Sequence, residues 1–192
     1  MGSRAGRTSK SAEGSAPSPS GEPEPDPESV ARSIVLQRLS LAPQTRAQLD
    51  VAMTKKGVPD DVRGAILDRF SDVGLIDDAA FAQAWVDSRH NGRGLAKRAL
   101  GHELRQRGVD PKVADEAVEA LEPEQEEAMA RALVARRLPS TRRLDPAART
   151  RRLAGMLARK GYPAGLSYRV VREALEAEGV DESDLPAEHI DE

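Results

Sequence analysis

The sequence predicts an all-α protein made of three tandem three-helix, helix-turn-helix-like repeats in an elongated, curved array. Three observations carry that expectation. Ala, Leu, Glu and Arg dominate the 192 residues, while aromatics make up only 3% and strand-like runs of Val, Ile and Thr are missing. This is helix composition. Apolar residues recur at helical spacing from Val30 to Val171. Finally, Gly57, Gly108 and Gly161 stand 51 and 53 residues apart and bring many positions into register. Leu49, Leu100 and Leu153 superpose, as do Met53, Leu104 and Leu157, and Val62, Val113 and Leu166. Units related this way contact mainly their sequence neighbours, which gives an extended molecule.

The first unit is expected over 29–75. Val30, Ala31, Ile34, Val35 and Leu39 share one helical face. Thr45 can cap a second helix that buries Leu49 and Met53. A third helix starts near Pro59-Asp60 and stops at Gly74. The second unit, 76–122, opens with Asp77 as N-cap and Ile76 and Phe81 placed as a hydrophobic staple. Phe81, Ala82, Trp85 and Val86 form its stripe, with Trp85 expected in the core and Asn91-Gly92-Arg93-Gly94 as a loop. Asp110-Pro111 caps and starts its last helix, because proline at the first helical position loses no hydrogen bond. The third unit, 123–178, begins at Pro123 and carries a longer connection from Pro139 to Asp145. Residues 1–28 have no periodic apolar positions and read as a disordered tail, and 179–192 read as an acidic tail.

Composition also bounds the chemistry. Without cysteine there is no disulfide or thiolate site, and His90, His102 and His189 are not at metal-ligand spacing. Gly92-Arg93-Gly94 lacks the strand and further glycine of a dinucleotide site. Adjacent Asp77 and Asp78 do not face each other on a helix, so capping accounts for them. No enzyme, cofactor or metal is expected. No apolar run reaches membrane-span length, so a cytoplasmic, monomeric protein is expected.

Charge is the informative feature. The net charge of −3 hides 12 basic and 1 acidic residue over 131–172, followed by 9 acidic and no basic residues over 173–192. Cations ending the second helices, such as Arg107 and Lys160, complement the helix dipole. Arg142, Arg143, Arg149, Arg151 and Arg152 fall in a loop and the first turns of a helix, where the dipole opposes them. Their crowding points to an external anionic partner rather than to stabilisation of the fold. Lys97 and Arg98 hold the corresponding place in the second unit, and Arg136 and Arg137 complete a basic track for nucleic acid or an acidic protein. The acidic segment from Glu173 to Glu192 reads as a solubilising tail, the alternative being that it folds back over the basic third unit and competes with the partner.

The segment Gly74-Leu75-Ile76-Asp77-Asp78, then Phe81-Ala82, Trp85-Val86 and Arg89, then Gly92 and Gly94, then Glu103-Leu104 and Arg107-Gly108-Val109, resembles the RecX family. The likeness spans residues 30 to about 176. In the first unit, Gln44-Thr45-Arg46-Ala47-Gln48-Leu49 departs from the family's Arg-Ser-x-x-Glu-Leu entry to the second helix, though Thr45 keeps the cap. The resemblance implies a non-enzymatic modulator that binds the recombinase RecA and the RecA–DNA filament. It would limit strand exchange and ATP hydrolysis in DNA repair and the SOS response. The alternative is a stand-alone DNA-binding protein, but the second helices offer only Gln48, His102, Gln106 and scattered arginines as base readers.

Overall fold

The computed structural model describes residues 26–181, so most of both expected tails lies outside the described residues. Nine α-helices and no strand occur among the described residues. The first unit holds α1 (Pro27–Leu41), α2 (Arg46–Thr54) and α3 (Asp60–Asp72). The second holds α4 (Asp78–Arg93), α5 (Lys97–Gln106) and α6 (Pro111–Glu119). The third holds α7 (Pro123–Arg137), a 3-10 turn over Leu138–Thr141, α8 (Pro146–Arg159) and α9 (Ala164–Glu176).

Each unit closes on its own core. Ala31, Val35, Leu49, Met53, Ile66 and Phe70 are buried together in the first. Ala82, Val86, Leu100, Leu104 and Ala117 form the second. Leu133, Val134, Leu153, Leu157, Tyr162 and Val171 form the third. Asp77, Asp145 and Thr45 cap where the sequence offers them, while Asp26 caps α1 from inside the stretch 1–28 expected to be disordered, so that Pro27 and Glu28 are already helical. Asp26, Asp77 and Asp145 each accept an amide in the first turn of α1, α4 and α8, and Thr45 and Gln48 form a reciprocal capping box on α2.

Three local expectations change. Ile76 does not staple Phe81: it is buried in the first core, while Phe81 packs on the second. The expected loop at 91–94 is instead the last turn of α4 and its cap, with Gly94 at φ 62° in the left-handed region. Buried His90 holds that end, its Nδ1–H donating to the Leu95 carbonyl at 2.9 Å. Trp85 is half-buried rather than fully enclosed.

The units join through one repeated contact. At the first joint, the Arg46 amide at the start of α2 donates to Asp78 of the next unit at 2.9 Å. At the second, the Lys97 amide at the start of α5 donates to Glu126 at 3.0 Å. Beside each, the cap of the earlier helix meets the C-terminal end of the later unit's second helix. The Thr45 hydroxyl donates to the Arg107 carbonyl at 2.7 Å, and the Ala96 amide donates to the Lys160 carbonyl at 2.9 Å. The helix dipoles of α2 and α5, and of α5 and α8, therefore meet positive end to negative end. Gly108 and Gly161 make the close approach possible. A side chain on Gly108 would overlap Ala47, and one on Gly161 would lie 2.6 Å from the Ala99 amide nitrogen. The Tyr162 hydroxyl fastens the second joint by donating to the Gly94 carbonyl at 3.2 Å. Burial raises the pKa of that phenol, the Glu126 carboxylate adds to the shift, and the hydroxyl stays a donor.

Candidate functional site

The nine basic residues of the predicted track divide into three groups. Arg98, Arg136, Arg137, Arg143, Arg151 and Arg152 are exposed, and none has an ion-pair partner among the described residues. Arg136 and Arg137 end α7, where the dipole favours them. Arg98 and Arg151 occupy equivalent places, each ten residues before the joint glycine of its unit. Lys97 and Arg142 are partly committed. The Lys97 ammonium pairs with Glu119 at 3.2 Å and Arg142 with Glu178 at 3.1 Å, and the Arg142 side chain keeps 67% of its exposure.

Arg149 does not belong to the track. It is only 6% exposed, with Nε donating to the Thr141 hydroxyl at 3.2 Å and its guanidinium paired with Glu178. The reason lies in the repeat register. Arg149 stands twelve residues before Gly161, as Thr45 and Ala96 stand before Gly57 and Gly108. Those are the buried joint positions of the first two units. In the third unit α8 begins earlier, at Pro146, and Glu178 covers the position. The pair thus fills, from within the third unit, the place that the following unit fills at the first two joints. Arg149, opposed by burial and aided by Arg142, holds the Glu178 carboxyl below the usual carboxylate range.

A second cluster escaped the sequence reading. At the first joint the Arg107 guanidinium lies 3.7 Å from the centroid of the Trp85 ring, and that of Arg89 lies 4.0 Å away. Phe81 stacks on the same indole with centroids 5.8 Å apart, and the indole N–H donates to Glu103 at 2.9 Å. These are cation–π contacts. Arg107 caps the C-terminal end of α5, where the helix dipole already favours a cation, so its contact with Trp85 leaves no separate sequence signal. Its helical neighbourhood was readable only for Phe81 and Arg89, which lie one turn on either side of Trp85. Among the described residues no cluster of His, Asp or Glu could hold a metal ion.

Comparison with known proteins decides the family. Residues 77–118 match the family model for the second three-helix domain of RecX, and residues 124–171 match that for the third. The regulatory protein RecX of Thermobifida fusca (strain YX) is 61% identical over 157 residues, covering 82% of this chain and 84% of the relative. The chain belongs to the RecX family. A second RecX regulatory protein, from Streptomyces coelicolor, is 57% identical over 155 residues, covering 81% of this chain and 82% of its own. The crystal structure of RecX from Lactobacillus salivarius superposes with a TM-score of 0.72 at 17% identity. It covers 77% of this chain and 96% of that one, so the three-unit fold persists where the sequence has diverged. A regulatory role follows from membership of this family. Among the described residues no helix is long and apolar enough to cross a membrane.

Proposed function

We propose that this RecX-family protein binds the recombinase RecA and its filament on DNA, and mainly inhibits strand exchange and ATP hydrolysis. It acts as a cytoplasmic monomer. Family membership supplies the regulatory role. The observation that carries the filament reading is the set of exposed arginines on the second and third units that have no ion-pair partner among the described residues, above all Arg98, Arg143, Arg151 and Arg152. A polyanionic surface would supply the counter-charge that these exposed cations lack among the described residues. An extended array of separate cores can follow a filament groove, where DNA phosphates and protein carboxylates both lie within reach.

Co-sedimentation with RecA on single-stranded DNA tests the reading, run beside duplex DNA without RecA. The protein should pellet with the filament and slow ATP hydrolysis. Tight, sequence-specific binding to bare duplex would instead support the stand-alone DNA-binding alternative.

A further inference from the structure

Two clefts adjoin at the first joint, away from the third unit's arginines. One is a groove of about 500 Å³ whose walls include Leu39, Leu75, Phe81, Ala84 and Trp85. Leu75 is 55% exposed there and extends the apolar wall to the surface. The other cleft, of about 340 Å³, is lined by Arg38, Lys55 and Arg107 with no carboxylate among its walls. Gln44 borders both. None of the three cations has an ion-pair partner among the described residues, and the buried Arg107 Nε has no hydrogen-bond partner at all. Arg38 makes only a long contact, 3.3 Å, to Gln44.

We propose that this paired groove is a docking site for an extended acidic peptide segment of a protein partner, with an apolar side chain seated beside Trp85 and carboxylates facing Arg38, Lys55 and Arg107. Charge complementarity sets the acidic half. The apolar half argues against nucleic acid. Its walls are mostly hydrocarbon and give a base edge few partners. Asp77 at its margin repels phosphate. The Trp85 ring already carries Arg89, Arg107 and Phe81, so little of it is free for base stacking. Arg–carboxylate contacts at a joint between units would also tie partner binding to the angle between the first two cores. The inference holds whichever protein supplies the segment.

Selection of a random twelve-residue peptide library on the full chain tests it. Trp85 is the only tryptophan, so its fluorescence reports seating in this groove. The expected outcome is enrichment of peptides that combine Asp or Glu with a large apolar residue and that shift Trp85 emission. Arg38→Glu with Lys55→Glu should weaken them at least tenfold, and so should Leu75→Asp. All three positions are exposed, so these variants keep the fold. Failure to enrich such peptides would overturn the proposal. So would acidic peptides that bind both variants equally, since they would be held by the third unit. Competition by oligo-dT at the same site would reassign the groove to nucleic acid. Competition by a peptide of residues 182–192 would reassign it to the chain's own tail.

Discussion

Replacing each repeat glycine by alanine gives three chemically identical changes with different expected costs. Gly57, Gly108 and Gly161 all sit in the left-handed region, at φ 74°, 76° and 90°. An alanine there costs roughly 1–2 kcal/mol from the backbone alone. At Gly57 that is the whole cost, because no atom lies within 4 Å of the added methyl. At Gly108 the methyl overlaps Ala47, and at Gly161 it meets the Ala99 backbone nitrogen at 2.6 Å and its Cβ at 2.7 Å. Overpacking adds about 1–3 kcal/mol, so Gly108→Ala and Gly161→Ala should each cost about 2–5 kcal/mol. The two clashes also differ from each other. Beyond the Ala47 methyl, the next atom near Gly108 is 3.8 Å away, so Ala47→Gly should rescue Gly108→Ala. Ala99→Gly should not rescue Gly161→Ala, because the backbone nitrogen remains. Urea unfolding followed by circular dichroism measures the costs. Hydrogen exchange locates them: Gly108→Ala should speed exchange of the Arg46 amide, and Gly161→Ala that of the Lys97 amide. Equal costs at all three glycines, with no change in either amide, would refute the joint geometry.

Other outcomes follow from the Arg149–Glu178 pair and the indole. Arg149→Ala should lower the melting temperature, whereas Arg151→Ala with Arg152→Ala should leave it unchanged or slightly raised. Glu178 has a folded pKa below its unfolded value, so its contribution is present above the ordinary carboxylate pKa and fades as pH falls through the depressed one. Glu178→Gln should therefore flatten the loss of melting temperature on acidification, and an unchanged acid limb would contradict the pairing. Trp85→Ala should cost less than the about 3–5 kcal/mol of a fully buried large aromatic. The native emission maximum should lie between those of buried and water-exposed indole.

Most of the fold was legible because helical repeats write their cores as periodic apolar positions. Leu49, Leu100 and Leu153 are all fully buried, and their register alone identified three units. The joints were not legible. Asp78 and Glu126 look like ordinary acidic residues of a first turn, yet their carboxylates serve amides of the preceding unit. Nothing local to either helix encodes that. Ile76 was misread for a related reason: its spacing to Phe81 fits a staple, but its nearest apolar surface is the first core. Arg149 shares its register with Thr45 and Ala96, but those two are buried by the unit that follows, whereas Arg149 is covered by Glu178, twenty-nine residues on, which no local pattern announces. Charge counting treated all five arginines alike because composition carries no depth. The Trp85 cluster depends on Arg107, twenty-two residues away on another helix, and only the packing of α5 on α4 brings them together.

The proposed filament binding rests on exposed arginines that are unpaired among the described residues. Its most direct test is a salt titration of binding to RecA filaments on single-stranded DNA, comparing the natural chain with Arg143→Ala, Arg151→Ala and Arg152→Ala combined. Every arginine that neutralises a phosphate in the natural chain should contribute about 0.7 unit of slope on a plot of log affinity against log salt. The triple variant should bind more weakly, with a slope flatter by about 1–2 units and an unchanged melting temperature. Equal affinity and equal slope in the two proteins would contradict the proposal.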